Sequence, residues 1–256
     1  MKRRINPARM AQACVTTLAC LATLWLATTR CYHYFVTPRT LPYLYFAAAA
    51  FGVMGIYNFG RLREASHVRR YATLLSLVIP LALLAYSAYA QNLLGTPLFP
   101  TPVSSAYNDP ALLGEPYTMQ TPAYAGRIIH GYDQPNRTIT VMENETYLWL
   151  TEIYRDPTPF LGFTLHTMGR VVTSSPYLSD GCFSPARKLM TCCVADMFSV
   201  GFTCQYDREQ ELTEGEWVSV SGTITMADME EYQELRILAD TVVPCLPPDE
   251  PYVYSY

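Results

Sequence analysis

Two adjacent cysteines and a nearby aspartate are the residues of this chain best suited to chemistry. Cys192 and Cys193 are neighbours, and Asp196 follows three residues after the second thiol. Thiolates and carboxylates together form ligand sets for zinc and other borderline-soft divalent cations. Cysteines can also fill a hydrophobic core as small apolar side chains. The pattern predicts a metal site or a redox thiol pair, and the core role is the alternative.

The strand predicted around the thiols sets their expected orientation. Residues 183–194 have the composition of a β-strand, in which successive side chains point to opposite faces. We therefore expect one thiol to pack inside the domain and its neighbour to stay accessible, with Asp196 in the following turn. A bond between the two neighbours is not expected in this geometry, whereas Cys193 and Cys204 can face each other across adjacent strands.

Further side chains are assigned to the same site. His166, on the preceding predicted strand, is the candidate nitrogen ligand, and a surface or hydrogen-bonded histidine is the alternative. Either Arg187 or Lys188 is expected to point to the binding face, the alternative being a solvated cation. The acidic half has five cysteines: Cys182, Cys192, Cys193, Cys204 and Cys245. Because this number is odd, at least one thiol stays unpaired. The spacing of these cysteines is not that of a zinc ribbon.

The sequence contains no motif that predicts catalysis. A nucleophile elbow, a phosphate-binding glycine loop and a His-Glu-x-x-His helix are all missing from it. We therefore expect a non-enzymatic protein without catalytic residues. Zinc is the cofactor that the ligand types indicate.

Charge divides the chain into two halves. Residues 1–98 contain ten Lys or Arg and one acid, Glu64, whereas the remainder contains eight basic and twenty-one acidic residues. The halves carry about +9 and −13, which is typical of one chain in two environments. An acidic half repels phosphate, so nucleic acid is not an expected partner.

Three uncharged apolar runs predict a transmembrane domain over residues 1–94. Each run approaches the roughly 20 residues that a helix needs to cross a hydrocarbon core of about 30 Å. The predicted spans are residues 10–29, 41–59 and 71–90.

Basic residues predict the orientation of these spans, because loops rich in Lys and Arg stay in the cytoplasm. Eight basic residues lie before the first span or between the second and third, against Arg30 and Arg39 in the first loop. A multi-pass protein of the plasma membrane is therefore predicted, with a cytoplasmic amino terminus and everything after residue 91 outside. The first run is alternatively a cleaved signal peptide, which leaves the side of the acidic half unchanged.

The acidic half is predicted to begin with a linker and to continue as one domain. Residues 95–137 are rich in proline and glycine, which predicts an extended extracytoplasmic linker, and residues 249–256 form a tail. The domain, residues 138–248, is predicted to contain a helix at 147–154 and five strands at 163–173, 183–194, 201–206, 217–226 and 235–243. This all-β or α+β pattern favours an OB-like five-stranded barrel, with a twisted sandwich as the alternative.

Five segments carry a resemblance to a known family. The most specific is the Met-x-Cys-Cys-x-Ala-Asp core within residues 187–196; the others are residues 37–44, 149–154, 217–222 and 251–256. Together they resemble the YcgQ-like permease-subunit proteins of bacteria. The resemblance covers about residues 30–256. It implies a partner, a YcgR-like multi-spanning permease, and a link to divalent metals such as zinc. This chain departs from relatives with a His-rich loop after the second span, because residues 61–70 contain only His67.

Two functions from different classes follow. The first is an accessory subunit of a two-component membrane permease, whose extracytoplasmic domain binds or presents a divalent metal such as zinc. The alternative is an extracytoplasmic thiol-redox or metallochaperone module that acts without a channel.

Overall fold

The computed structural model describes residues 7–62, 114–229, 232–248, 250 and 252–255. The chain divides into two compact units, residues 1–100 and 101–256. Over its described residues, the first unit is helical and the second is built on a β-sheet. The third predicted span, residues 71–90, lies outside the described residues, as does the predicted linker up to residue 113.

Two long helices form the described part of the first unit. Helix α1 is Pro7–Thr28 and helix α2 is Leu41–Gly60. At 1.5 Å per residue, each is about as long as a hydrocarbon core is thick. By length and composition, the apolar segments Arg9–Thr28 and Pro38–Gly60 can cross a membrane, which agrees with the first two predicted spans.

Small residues let α1 and α2 approach each other closely. Ala48 is buried, and a Cβ atom added at Gly55 would lie 3.1 Å from the Thr17 hydroxyl oxygen. Small side chains at such positions are typical of helix pairs in membranes. The opposite faces leave large apolar side chains exposed, which suits a lipid environment: Leu18, Leu21, Leu24, Trp25, Tyr43, Phe46, Val53, Met54, Ile56 and Phe59.

Ten strands and one α-helix form the described part of the second unit. Helix α3 is Thr146–Arg155, close to the predicted helix. The strands are β1 Glu115–Thr118, β2 Ile128–Asp133, β3 Thr138–Thr140, β4 Thr164–Val172, β5 Cys182–Met190, β6 Phe198–Val200, β7 Cys204–Gln205, β8 Trp217–Asp228, β9 Gln233–Pro244 and β10 Tyr252–Tyr254. All ten strands belong to one mixed sheet, whereas the sequence predicts five strands.

Five of these strands pair in a closed circuit. Strand β4 pairs with β8, β8 with β9, β9 with β7, β7 with β5, and β5 again with β4. All of these pairings are antiparallel except β7 with β9. The register of β8 and β9 shifts between Ser221 and Gly222, where a Cβ on the glycine would collide with the backbone of Leu238. The glycine therefore permits the close approach of the strands at this bulge.

The core of the second unit lies between the sheet and one face of α3. Leu148, Trp149 and Ile153 of that helix are buried, and the last two lie four residues apart on the same face. The indole N–H of Trp149 donates to the carbonyl of His130, 2.8 Å away. This bond ties the helix to strand β2.

The prediction of a linker over residues 95–137 is wrong in its described part, where the chain forms strands β1 and β2. The linker is predicted because proline is typical of unpaired chain. Pro116, however, lies in β1, which is an edge strand with a register shift beside this proline. The missing N–H of proline is tolerated at such a position. The rings of Tyr117 and Tyr132 pack against each other and against Trp149. These contacts give β1 and β2 the buried apolar surface that a proline-rich linker lacks. The predicted tail likewise contains β10, which pairs with β5 in parallel.

Candidate functional site

The predicted thiol pair lies in the connection between β5 and β6. These two strands form an antiparallel hairpin, with Leu189 opposite Phe198. Strand β5 ends at Met190, and residues 191–197, called here the thiol loop, reverse the chain. A short 3-10 helix, Val194–Asp196, occupies the second half of the loop.

Asp196 organises the thiol loop through backbone hydrogen bonds. Its carboxylate accepts the N–H groups of Thr191 at 3.1 Å, Cys192 at 2.7 Å and Cys193 at 3.4 Å. The side chain of Cys193 in turn accepts the N–H of Asp196, which completes a reciprocal cap on the short helix. The expectation of a strand through residue 194 is therefore wrong, because the capped turn ends the ladder at Met190.

The capped turn also overturns the expected orientation of the thiols. Their sulfur atoms do not point to opposite faces, since the Cys192 and Cys193 Sγ atoms lie 3.6 Å apart. Cys192 is exposed and Cys193 is half-buried, so neither is a core residue. The two sulfurs and a carboxylate oxygen of Asp196 all lie within 4.8 Å of one another.

This spacing fits a tetrahedral metal ion. With Zn–S bonds of about 2.3 Å and a tetrahedral angle, two thiolate ligands stand about 3.8 Å apart, close to the observed 3.6 Å. A linear two-coordinate ion with bonds of that length would instead need about 4.6 Å. The donor types and the distance between the two sulfur atoms therefore suit zinc.

The metal-free loop holds its protons and charges in a defined arrangement. The pKa of the Cys192 thiol is raised to about 12, first because it donates a hydrogen bond to Asp196 and then because Cys193 lies beside it. That same bond from Cys192, together with the backbone N–H donors, lowers the pKa of Asp196. A metal must therefore displace a thiol proton, so binding releases protons and weakens as the pH falls.

His166 does not join the three donors. It lies on β4 between Thr140 of β3 and Ser221 of β8, and it is not among the described residues whose ligand atoms cluster around the thiols. Partial burial lowers the pKa of its imidazole. His166 lies on a strand that is paired on both sides, whereas the thiols lie in a loop after the end of β5.

Cys204 is a buried residue of strand β7 and does not face Cys193. It stands opposite Phe183 of β5 and Ile237 of β9, and its thiol is free. Complete burial raises the pKa of this thiol, with nearby Cys182 as a smaller cause. Cys204 is therefore a core residue, and the predicted approach of the two cysteines is wrong because the thiol loop leaves the strand.

Arg187 is buried and binds backbone rather than the thiol loop. Its guanidinium donates to the carbonyls of Glu143, 3.3 Å away, and Glu250, 2.6 Å away, and it lies 5.5 Å above the Trp217 ring. Burial lowers its pKa to about 10. Arg187 thus anchors the chain that leads into β10, and Lys188 is the exposed member of the pair.

Sequence reasoning missed two features of the loop. The cap between Cys193 and Asp196 has the spacing of a capping box, but cysteine is an unusual residue at its first position, so the pattern is not conspicuous. Val194, within the capped turn, and Phe198, at the start of β6, are 46% and 51% exposed.

A family model for the DUF1980 C-terminal domain matches residues 119–255, more than half of the chain. The matched segment includes the strands of the closed circuit, the thiol loop and β10. No curated protein matches the chain. The family match agrees, at the level of the family, with the resemblance seen in the sequence. The chain therefore belongs to the family defined by the DUF1980 C-terminal domain.

Proposed function

We propose that this chain is a non-catalytic accessory subunit of a two-component membrane permease and that its thiol loop binds a divalent metal such as zinc. In this proposal Cys192 and Cys193 bind as thiolates, and Asp196 supplies an oxygen ligand. The carrying observation is that three donor atoms suited to zinc lie within 4.8 Å of one another in an accessible loop.

The helical unit supports a membrane role. Two helices of sufficient length carry exposed side chains as large as those of Phe46 and Ile56, each 75% exposed. Such faces are stable in lipid and costly in water. With the basic residues on one side, the acidic domain is proposed to lie outside the cytoplasm.

The second unit is proposed to be an OB-like barrel extended by further strands. The closed circuit of β4, β8, β9, β7 and β5 supports this proposal, because each of these strands pairs with two others of the circuit, as barrel strands do. The bulge at Gly222 is the kind of irregularity that lets a sheet bend on itself. The thiol loop would then project from one end of the second strand of the barrel.

A calorimetric titration tests metal binding. Zinc is added to the reduced full-length protein in detergent and, in parallel, to the Cys192→Ser/Cys193→Ser double variant. We expect a saturable heat that corresponds to one bound ion in the parent protein and its loss in the double variant. Equal heats in the two proteins would place zinc elsewhere and refute the site.

Co-purification tests the partner. The resemblance implies a YcgR-like multi-spanning permease, so a tagged chain extracted gently from its own host should carry a larger multi-spanning protein. If extracts never contain such a protein at a stoichiometric level, the subunit proposal fails even when zinc binds.

The second candidate function is redox exchange or metal delivery without a channel. The observation in its favour is a pair of free, accessible thiols whose sulfurs are only 3.6 Å apart. Alkylation of the unreduced protein, followed by mass spectrometry, separates the two functions. Two modified thiols at 192 and 193 favour metal binding, whereas an oxidised pair favours redox exchange.

A further inference from the structure

We propose that the metal site of the thiol loop is completed by a histidine imidazole from a second protein. This inference rests on the proposed metal binding and adds the identity of the missing ligand. It starts from the number of donors, because structural zinc has four protein ligands in most sites and this loop offers three. Among the described residues, no histidine or further acid belongs to the cluster.

Charge selects the chemistry of the fourth ligand. Two thiolates and one carboxylate around a divalent ion leave one net negative charge on the site. A further thiolate or carboxylate would raise this charge to two and would be repelled by the anionic donors already present. An imidazole is neutral when it binds a metal and is a common zinc ligand, so it completes the site without adding charge.

The surface around the thiol loop favours a protein as the source of the imidazole. Cys192 is exposed, so another molecule can reach the cluster from solvent. Val194, the first residue of the short helix, and Phe198, the first residue of β6, add exposed apolar area near the cluster. A histidine flanked by apolar residues in a partner would therefore contact both the metal and this apolar area.

Cobalt spectroscopy of the reduced full-length protein in detergent tests the inference, with Co²⁺ as the metal probe and free imidazole as the ligand probe. The cobalt–thiolate charge-transfer band reports binding to the cysteines, and the visible d–d bands report the fourth ligand. Imidazole is expected to shift the d–d bands in one saturable step while the thiolate band persists. When the imidazole concentration is about ten times the dissociation constant of imidazole from the cobalt-loaded protein, the apparent affinity for cobalt should rise about tenfold by mass action.

Two comparisons sharpen the test. Mercaptoacetate, which brings an anionic thiolate and a carboxylate, should bind the cobalt-loaded protein more weakly than imidazole. A short peptide with histidine between leucines should bind more tightly than free imidazole, and Val194→Ser/Phe198→Ser should remove that advantage without altering the response to free imidazole.

Each contrary outcome has a distinct meaning. A thiolate band without any response to imidazole, or loss of that band as imidazole strips the metal, overturns the inference and leaves the proposed metal site intact. Absence of the thiolate band in the parent protein overturns both. Equal binding of peptide and free imidazole overturns the assignment to a protein partner.

Discussion

Cys193 has one structural role in the thiol loop and a second, proposed role as a metal ligand. Its side chain caps the short helix Val194–Asp196, and its sulfur lies 3.6 Å from that of Cys192. The first role needs only a small side chain that accepts a hydrogen bond, whereas metal binding needs a thiolate. The two roles can therefore be separated by substitution with serine, which is among the preferred capping residues.

Cys193→Ser is predicted to remove metal affinity and to spare the fold. The serine hydroxyl can accept the N–H of Asp196, so the melting temperature of the metal-free protein should stay at or slightly above that of the parent. Loss of a direct ligand should weaken zinc binding by at least about a hundredfold, the upper end of the effect of losing a supporting residue. Competition with a coloured zinc chelator gives the affinity.

The matched control is Cys245→Ser, which alters a half-buried thiol outside the cluster. Its zinc affinity should equal that of the parent. A Cys193→Ser protein that retains parental affinity would show that the half-buried thiol is not a ligand.

Glu152 illustrates a buried charge with a purely structural role. Its carboxylate accepts hydrogen bonds from the Thr121 hydroxyl at 2.6 Å, from the Thr121 and Gln120 N–H groups at 3.0 and 2.7 Å, and from the Tyr117 hydroxyl at 3.2 Å. Burial by itself raises the pKa of this carboxyl, but the hydrogen bonds together outweigh burial and lower it. The side chain thus fastens the segment after β1 to α3.

Glu152→Gln is predicted to destabilise the protein by about 1–3 kcal/mol at neutral pH, because an amide cannot accept all four bonds and leaves buried donors unpaired. Since the folded-state pKa is depressed, the carboxylate contributes its stability above the unfolded pKa of about 4.3 and loses it as the pH falls through the folded pKa. The difference between the two proteins in thermal melts should therefore shrink below about pH 4.

Glu211→Gln is the control, because the Glu211 side chain is 68% exposed. It should melt like the parent protein at every pH. A difference between parent and Glu152→Gln that stays constant from neutral to acidic pH would contradict the role assigned to the charge.

At the scale of elements, the strands of the closed circuit could be predicted because each has a local hydrophobic pattern. The strands β4, β5, β7, β8 and β9 all overlap the predicted ones. Short strands such as β3 carry little pattern of their own and form by pairing with distant chain, as Thr138–Thr140 does with residues 164–166. Strand β5 ends where the Asp196 cap begins, and the alternation of a strand sequence does not reveal such a cap. The two thiols and the carboxylate could therefore be predicted as donors, but their geometry could not.

The packing of α1 against α2 gives a prediction at this scale. Gly55→Leu should destabilise the helix pair by about 1–3 kcal/mol, because a side chain there meets the Thr17 hydroxyl and overpacks the contact. Loss of structure in an SDS titration of the detergent-solubilised protein gives the measurement. Gly60→Leu is the control, since an added Cβ there meets nothing within 4 Å, and equal behaviour of the two variants would argue against a close helix pair.

At the scale of the whole molecule, the basic residues before the first predicted span and between the second and third predict one orientation in the membrane. A reporter that is active only outside the cytoplasm should be active when fused after Tyr256 and inactive when inserted within residues 61–70. The reverse pattern would place the thiol loop in a reducing compartment. The thiols would then stay reduced, and redox exchange with extracytoplasmic oxidants would be ruled out.

The central proposal is that the thiol loop binds a divalent metal, and X-ray absorption at the zinc edge tests it most directly. The zinc-loaded, reduced protein should show two sulfur atoms at about 2.3 Å and two oxygen or nitrogen atoms at about 2.0–2.1 Å. The sulfur shell should disappear in the Cys192→Ser/Cys193→Ser variant. A zinc ion surrounded only by oxygen and nitrogen in the parent protein, or a sulfur shell that survives in the variant, would contradict the assignment of these two cysteines.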